Sequence, residues 1–488
     1  MEKHILSKST FVKGHQCEKA LYLYKFNPEL RAELDEQTLQ VMNAGTNVGV
    51  LAQKLYPNGV DATLETTFEY QKSVLLTQQL IAAGKKVIYE ACFQYNGVLC
   101  ALDILVKKKD KWYAYEVKSS TTVKDYHYTD TALQYYVITK SGLPLEDIAV
   151  IHLNNKYSRL GELDVKQLFN TVSVKDKAIA EQQNIETKIA ELKKVMENKN
   201  VKPTKKIGTH CFSPFECEFK SHCWDSLNID PMIFNLYSKD FNHFIENEIF
   251  QFDEIEENYK FHGKSKTKLN KLKEIEIKID KAKIKTFLET LKKPYYYFDF
   301  ETYQMAVPEF DNARPYQMIP FQYSLHIQDE NNLIHSEFLG DSATDPRIPL
   351  IEKMINELGE KGSIITYNAT FEKTRLKEMA IDFPVYKKQL NNIKDRIVDL
   401  MVPFQKMWYY NPNFKASYSI KYVLPALIPS LSYQNLNIQN GGDASSIYPA
   451  IKDMKLEDQE KTRTDLLEYC KLDTLAMVKI HEHLFKII

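Results

Sequence analysis

Residues 295–302 read Tyr-Tyr-Tyr-Phe-Asp-Phe-Glu-Thr, so two acids interrupt an otherwise apolar and aromatic segment. Side chains two residues apart in a strand point to the same face of a sheet, which places Asp299 and Glu301 together. Two carboxylates on one buried face are costly unless a cation lies beside them. The segment therefore predicts a core strand that bears a cation site.

Further acids follow this strand along the chain. Glu372 stands at a predicted strand-to-helix transition that also contains Asn368, and residues 465–485 predict a final amphipathic helix with Tyr469 and Asp473 on one face. Four acids and a tyrosine can hold two metal ions about 3.5–4 Å apart, with the tyrosine orienting an attacking water. Asp399 is a reserve candidate, and its alternative role is that of a helix cap or surface acid.

These motifs resemble, in order, those of the DnaQ-like exonucleases of the DEDD class, tyrosine subtype, over residues 290–488. The resemblance implies an RNase H-like fold and 3′–5′ exonuclease activity. It implies the Mg²⁺ or Mn²⁺ ligands Asp299, Glu301, Glu372 and Asp473. Tyr469 becomes a catalytic residue beside Asp299 and Glu301, and Asn368 becomes a substrate contact. The family usually has Asp where Glu372 stands, and an inactive fold that keeps some acids is the alternative.

A second charged group lies in the first part of the chain. Glu116 and Lys118 are two residues apart in a predicted strand, and Asp103 belongs to the predicted strand before it, so the three can face one another. Carboxylates bind Mg²⁺ or Mn²⁺, the metal supplies a hydroxide, and a lysine can stabilise the developing anion in phosphodiester hydrolysis. From the spacing alone, the alternative is a pair of strands with a hydrated polar face.

With its surroundings, this group resembles the RecB-type PD-(D/E)xK nucleases, roughly over residues 1–225. Glu90 lies on the preceding strand, and a helix with Gln134 and Tyr135 follows. The resemblance implies that the two acids bind metal, that the lysine is catalytic, and that Gln134 and Tyr135 lie near the substrate. Two positions depart from the family: Gly49 stands where a metal-binding His is common, and Ile138 stands where a later Tyr is usual.

Four cysteines form a further candidate site. Cys211, Cys217 and Cys223 have five residues between neighbours, and Cys17 stands alone near the start. Four thiolates suit a tetrahedral Zn²⁺ or a 4Fe–4S cluster. The layout resembles iron–sulfur RecB-like nucleases of the AddB type and of CRISPR adaptation modules, which implies the cluster. Zinc with a nearby His, or uncoordinated thiols, are the alternatives. The other cysteines are predicted as small core residues: Cys92, Cys100 and Cys470.

The pattern of apolar runs predicts an α/β chain with three parts. These are a PD-(D/E)xK restriction-endonuclease-like domain over 1–225, a basic helical connecting module over 226–293, and an RNase H-like domain over 294–488. From residue 165 to about residue 200 the pattern is helical and highly charged. Residues 262–293 hold eleven lysines against four acids, which indicates either phosphate contacts or a solvated linker.

Charge and hydropathy set further limits. The chain of 488 residues has 64 basic and 65 acidic side chains, a net charge of -1, which leaves room for a local basic groove that binds nucleic acid. No apolar run approaches the roughly 20 residues that cross a bilayer, and the first residues lack the apolar core of a signal peptide. We therefore expect a cytoplasmic protein without a membrane span.

The whole chain resembles a bacterial domain-of-unknown-function family in which an iron–sulfur RecB-like module precedes a DnaQ-like module. The expected function is that of a dual nuclease acting on nucleic acid, with DNA favoured over RNA, in repair, processing or defence. Two alternatives belong to other classes: a nucleic-acid-binding protein with one or both nuclease sites inactive, and a redox-sensing regulator that uses the cluster as a switch.

Overall fold

The computed structural model describes residues 4–33, 36–63, 70–230, 233–266, 270, 276–330, 332–433 and 436–488. It confirms the mixed α/β class and divides into two compact units. The first unit comprises Met1–Ile233, Phe241–Asn258 and Ala306–Pro315. The second comprises Phe234–Asp240, Tyr259–Met305 and Tyr316–Ile488. Residues 267–269 and 271–275 of the predicted basic module lie outside the described residues.

The first unit is built on a mixed sheet. Its strands, in the described residues, are β1 (Leu6–Ser7), β2 (Val60–Asp61), β3 (Val87–Tyr95), β4 (Val98–Lys108), β5 (Lys111–Lys118), β6 (Leu145–Leu153) and β7 (Phe169–Ser173). The order is β2-β3-β4-β5-β6-β7, and β1 pairs with β4. Strands β3, β4 and β5 form an antiparallel meander, whereas β6 lies parallel to β5.

This part of the chain also contains helices. They are α1 (Lys8–Gln16), α2 (Glu18–Phe26), α3 (Glu36–Gln53), α4 (Tyr70–Ala82), α5 (Asp125–Lys140), α6 (Val165–Leu168), α7 (Lys175–Ala180), α8 (Gln182–Glu197) and α9 (Lys220–Trp224), followed by α10 (Ser238–Glu246). Helix α5 spans the connection between the parallel strands β5 and β6, a connection that needs a crossover element. The apolar faces of the sheet, α5 and α8 form one core.

The helical pattern predicted from residue 165 to about residue 200 is confirmed for α6, α7 and α8 but is wrong for residues 169–173. Residues Phe169–Ser173 form β7, which pairs antiparallel with β6. The sequence Phe-Asn-Thr-Val-Ser is rich in strand-forming residues, and its backbone pairs with a strand 16 or more residues earlier. A periodicity count weighs local spacing alone, so it misses this pairing.

The second unit has its own sheet. Its strands are β8 (Lys278–Ile279), β9 (Tyr295–Gln304), β10 (Met318–Gln328), β11 (Leu333–Leu339), β12 (Ser363–Thr366), β13 (Ile397–Asp399) and β14 (Tyr409–Tyr410). The main sheet has the order β11-β10-β9-β12-β13, and β8 pairs separately with β14. Strand β9 is central: it runs antiparallel to β10 and parallel to β12.

The helices of the second unit cover both faces of this sheet. They are α11 (Lys281–Glu289), α12 (Arg347–Leu358), α13 (Thr370–Asp382), α14 (Lys387–Asp395), α15 (Val402–Gln405), α16 (Ile420–Leu427), α17 (Gly441–Ile447) and α18 (Leu456–Ile487). Helices α12, α13 and α14 share one core, and α11, α16 and α18 share the other.

Helix α18 is the final amphipathic helix that the sequence predicts, and it begins nine residues earlier than residue 465, at Leu456. Its buried face includes Leu466, Cys470, Met477 and Leu484. Charged residues lie on the opposite face of the helix, so α18 has no long apolar run. Of the helices described here, none combines the length and the apolar composition needed to cross a membrane.

Two glycines in the loop between α12 and β12 give a test of the fold. Both have positive φ, +51° at Gly359 and +90° at Gly362. An added Cβ at Gly362 would clash with the carbonyl oxygen of Pro294, whereas at Gly359 its nearest neighbour is the Tyr296 hydroxyl at 3.8 Å.

Gly359 has a φ of +51° and a ψ of −157°, a conformation that essentially only glycine adopts, so we expect Gly359→Ala to cost about 1–3 kcal/mol of stability from backbone strain alone. Gly362→Ala adds the clash and should cost at least about twice as much. Differential scanning calorimetry measures both. Equal melting temperatures for the two variants would contradict the packing described for this loop.

Candidate functional site

The acids predicted in the second half of the chain surround one cavity. We call it the acidic cavity; its volume is about 250 Å³. The predicted residues on its wall are Asp299, Glu301, Asn368, Glu372, Tyr469 and Asp473. The structure thus brings together every candidate that the sequence proposes for this half, apart from the reserve candidate Asp399.

Strand geometry sets the first pair. Asp299 and Glu301 lie on the central strand β9, opposite Ser324 and Gln322 of β10. One ligand oxygen from each carboxylate and the Sγ atom of Cys470 all lie within 4.8 Å of one another. The shared face predicted from the alternation of a strand is therefore the face that lines the cavity. The buried thiol of Cys470, predicted as a core residue, is an additional member of this group.

The end of β12 supplies the next acid. The chain leaves this strand through Asn368, whose φ of +76° lies in the left-handed region that Asn tolerates better than most residues. Its backbone N–H donates to Asp399 Oδ1 at 3.0 Å, and the N–H of Met401 donates to the same oxygen at 3.0 Å. Asp399 therefore braces the turn that precedes Glu372 in the first turn of α13.

Helix α18 supplies the remaining residues. Tyr469 and Asp473 are one turn apart on its face toward β9 and β10. The hydroxyl of Tyr433 donates to Asp473 Oδ1 at 2.7 Å. Lys421, an exposed residue of α16, lines the same cavity. Sequence reasoning missed Tyr433 and Lys421 because neither belongs to a spaced motif.

Crowding raises the proton affinity of these acids. Burial and the charges of Asp473 and Glu372 raise the pKa of Glu301 to about 8, against an opposing effect of Lys421. Burial, with the charge of Asp399, raises the pKa of Glu372 to about 8. Burial likewise raises the pKa of Asp299 well above its usual range. Burial raises the pKa of Asp473 to about 6, and hydrogen bonds from the Tyr433 and Tyr469 hydroxyls oppose this rise.

The acids of the acidic cavity form no ion pair in the described residues, although Lys421 lines the same cavity. Within the described ranges, no lysine or arginine nitrogen forms a salt bridge with Asp299, Glu301, Glu372 or Asp473. Glu372 Oε2 is also buried without a hydrogen-bond partner in that part of the chain. Carboxylate oxygens are the ligands that Mg²⁺ and Mn²⁺ prefer. The donor set therefore fits a divalent cation.

The first unit holds the second predicted group. Glu116 is 2% exposed, and its Oε1 atom accepts hydrogen bonds from Lys118 Nζ at 2.7 Å and from Lys8 Nζ at 2.8 Å. Lys118 Nζ also donates to Asp130 Oδ2 at 2.5 Å. Asp103 Oδ2 accepts the backbone N–H of Val117 at 2.5 Å. We call these side chains the lysine–acid site. Lys8 and Asp130 are members that sequence reasoning missed.

The acids of the lysine–acid site titrate differently from one another. Burial and the charge of Glu116 raise the pKa of Asp103 to about 8. Burial also acts to raise the pKa of Glu116, but the ammonium groups of Lys118 and Lys8 outweigh it and hold that pKa below its usual range. Burial raises the pKa of Glu90 to about 7, opposed by Lys8. Glu90 has a φ of +52° and interrupts the pairing of β3 with β4.

The predicted substrate contacts of this unit lie on α5. Gln134 is fully buried, and its Nε2 atom donates to Asp130 Oδ1 at 3.2 Å. Tyr135 packs against the core of the first unit. In this structure Gln134 therefore positions the carboxylate that pairs with Lys118.

The four predicted cysteines line one small cavity. Cys17 caps the start of α2, Cys211 ends a short turn, Cys217 precedes α9 and Cys223 lies within it. Burial raises the pKa of Cys17, with added effects of Cys211 and Cys223. Burial raises the pKa of Cys217 to about 11. Residues 17 and 211–223 thus meet in space, although they are far apart in sequence.

Polar contacts that do not involve the thiols also join the segment around Cys17 to the segment 210–218. Gln16 Nε2 donates to the carbonyl oxygens of His210 at 2.6 Å and of Phe215 at 2.7 Å. Lys13 forms an ion pair with Glu218. These contacts place α1 against the cysteine-rich segment.

Comparisons with known proteins match part of the chain. Residues 296–419 match a family model described as "Domain of unknown function (DUF2779)". The match includes Asp299, Glu301, Asn368 and Glu372 and ends before Tyr469. The predicted resemblance to a domain-of-unknown-function family is thus confirmed for residues 296–419.

Three mycoplasma-group proteins are similar to part of the chain. The "Uncharacterized protein UU173" of Ureaplasma parvum is 29% identical over 252 residues, which is 46% of this chain and 36% of that protein. The "Uncharacterized protein MG366 homolog" of Mycoplasma pneumoniae is 29% identical over 219 residues, 41% of this chain and 33% of that protein. The "Uncharacterized protein MG366" of Mycoplasma genitalium is 30% identical over 220 residues, with coverages of 41% and 33%. The chain therefore spans about a third of the length of these relatives.

The raised pKa values predict how stability depends on pH. A carboxyl group with a higher pKa in the folded chain binds more protons when folded, so its contribution to stability falls as pH rises through the interval between the unfolded and folded values. For Glu301 and Glu372 this interval runs from 4.5 to about 8.

In EDTA, we expect the melting temperature of the second unit to fall between about pH 5 and about pH 8. The double variant Asp299→Asn/Glu301→Gln should be more stable than the parent at the upper pH by about 3 °C or more and unchanged at the lower. Glu468→Gln, at an exposed acid of α18, is the matched control. Parallel pH curves for the parent and the double variant would contradict the described crowding.

Proposed function

We propose that this chain is a divalent-metal-dependent nuclease whose acidic cavity removes nucleotides from the 3′ end of a nucleic-acid strand, with DNA favoured over RNA. One observation carries the proposal: four crowded carboxylates and Tyr469 surround a cavity and, among the described residues, have no cationic partner in contact. Such a group is stable at neutral pH when a cation joins it.

The architecture of the second unit supports an RNase H-like fold. The first pair of acids lies on the central strand of a mixed sheet, the next acid follows a parallel neighbour, and the last helix packs across the same strands. In the first unit, an antiparallel meander, a crossover helix and a parallel strand support a PD-(D/E)xK-like fold. The order of the motifs along the chain agrees with an RNase H-like fold for the second unit and a PD-(D/E)xK-like fold for the first.

Asp299, Glu301, Glu372 and Asp473 would hold the metal. When bound, Mg²⁺ or Mn²⁺ lowers the pKa of a water and neutralises charge that develops at phosphorus. Tyr469 lines the cavity beside Asp473, where its hydroxyl can orient the attacking water. Lys421 contributes positive charge at the rim of the cavity, which favours a phosphate there.

Tyr433 is a positioning residue in this proposal. Its hydroxyl donates to Oδ1 of Asp473 at 2.7 Å and so fixes the orientation of this carboxylate on the wall of the cavity. Asp399 has a similar role at the other wall, because it braces the turn before Glu372. Contacts of this kind commonly change metal affinity or activity by about 10- to 100-fold.

We also propose that Cys17, Cys211, Cys217 and Cys223 hold a 4Fe–4S cluster, with zinc as the alternative. The four thiols line one small cavity, which supports a group that they hold in common.

The exonuclease proposal predicts that Asp473→Asn lowers the 3′–5′ shortening of 5′-labelled single-stranded DNA in Mn²⁺ by at least about 100-fold, because a direct metal ligand is lost. Tyr433→Phe should lower it by about 10-fold. Gel electrophoresis of timed samples, with a matching RNA strand in parallel, measures the effect.

Glu468→Gln is the control for Asp473→Asn, because it removes an exposed charge from the same helix. A ladder that persists in Asp473→Asn but vanishes in Glu116→Gln would place the cleavage in the first unit. Equal cleavage by all variants would overturn the proposal.

The cluster proposal predicts that anaerobically purified protein contains about four iron atoms and acid-labile sulfide per chain. Cys217→Ser should lose most of both. Cys92→Ser, at a buried thiol outside the group, should keep them. Stoichiometric zinc without sulfide would contradict the cluster and favour the zinc alternative.

A further inference from the structure

The two carboxylate groups differ in their internal charge balance. Glu116 and Asp130 of the lysine–acid site contact the two ammonium groups of Lys8 and Lys118, through distances of 2.5–2.8 Å. The acidic cavity of the second unit has no such contact in the part of the chain that the structure describes. Two ammonium groups therefore contact the carboxylates of the first group, although Glu116 Oε2 is buried without a hydrogen-bond partner among the described residues. Lys421 lines the cavity of the second group without forming an ion pair there.

Folding fixes the position of Lys8. Strand β1 pairs with β4 through Leu6 and Ser7, so the chain before α1 is tied to the strand that carries Asp103. Ser7 and Thr10 then cap α1 reciprocally: the Ser7 N–H donates to Thr10 Oγ1 at 2.7 Å, and the Thr10 N–H donates to Ser7 Oγ at 3.3 Å. Lys8 is the first residue of α1, and its ammonium shares the Oε1 atom of Glu116 with Lys118.

A cavity of about 400 Å³ opens beside these ammonium groups. Its wall combines cations, acids and two aromatic rings: Lys8, Lys13, Lys118, Asp130, Glu216, Glu218, Tyr126 and Phe215. An ammonium has three donor hydrogens, so Lys8, with one bond to Glu116, keeps donors for a phosphate oxygen. Phe215 is 49% exposed, and its ring lies 4.9 Å from that of Tyr126. Exposed aromatic rings beside cations suit the bases and phosphates of a single strand.

We propose that Lys8 is the resident counter-cation of the lysine–acid site, and that the first unit binds single-stranded nucleic acid in this cavity without a divalent cation. The inference rests on the proposed function for the choice of nucleic acid as ligand. It assigns the first unit to strand binding and leaves metal-dependent cleavage to the acidic cavity.

Metal counting gives the first test. The full chain with Asp299→Ala/Glu301→Ala serves as background, and electron paramagnetic resonance of unbound Mn²⁺ gives the number of ions bound. Adding Glu116→Gln should leave that number unchanged. Adding Lys8→Met instead should raise it by about one per chain, because Glu116 and Asp103 lose a cation. If Glu116→Gln removes one bound Mn²⁺ from the background protein, the inference is overturned, whatever the result for Lys8→Met.

Strand binding gives the second test. Fluorescence anisotropy measures how tightly the same background protein binds a labelled oligothymidylate. We expect its affinity in EDTA and in Mn²⁺ to agree within about twofold. Phe215→Ala should weaken binding by about fivefold or more through lost stacking. Phe212→Ala is the control: it removes a 38% exposed ring of the same segment that packs on Trp224. Binding that requires Mn²⁺, equal effects of both variants, or no binding would overturn the inference.

The two proposals fail in distinguishable ways. Wild-type protein that cuts no strand, together with metal-independent binding that depends on Phe215, would overturn the exonuclease and retain the binding site. A protein that shortens DNA through Asp473 while Glu116 holds a Mn²⁺ ion would retain the exonuclease and overturn the role of Lys8.

Discussion

A carboxylate that folding removes from water needs positive charge beside it, and both units are organised by this requirement. In the first unit the chain supplies the charge itself, since Glu116 accepts hydrogen bonds from Lys8 and Lys118. In the second unit Glu301 and Glu372 are almost completely buried without such a partner among the described residues. Repulsion and burial of these carboxylates destabilise the folded state of that unit, and a bound divalent cation would relieve this destabilisation.

The sheets explain why these charges meet. Each group includes an acid or acids on an interior strand, where alternation decides which side chains share a face. Neighbouring elements then complete the group: α5 brings Asp130 to the first, whereas α13 and α18 bring Glu372 and Asp473 to the second. The sites therefore depend on sheet order as much as on the motifs, because a strand out of register would carry its acid to the other face.

The cysteine group shows the same dependence on distant parts of the chain. Cys17 follows α1, and α1 is held to the cysteine-rich segment by Gln16 and Lys13. The helix that carries Lys8 toward Glu116 therefore also carries Cys17 toward Cys211. A group bound by the thiols would tighten an arrangement that polar contacts already favour, and would stabilise the lysine–acid site through α1.

The sequence by itself determined the residues whose signal is local. The alternation of apolar residues predicts the strands that carry Asp103 and Asp299, and helical spacing predicts that Tyr469 and Asp473 share a face. Tertiary structure alone decided the partners that lack such spacing. Lys8 lies 108 residues from Glu116, Tyr433 lies 40 residues from Asp473, and β7 forms because β6 accepts it. Periodicity records which way a side chain points within its own element, whereas a contact between distant elements depends on how the whole sheet assembles.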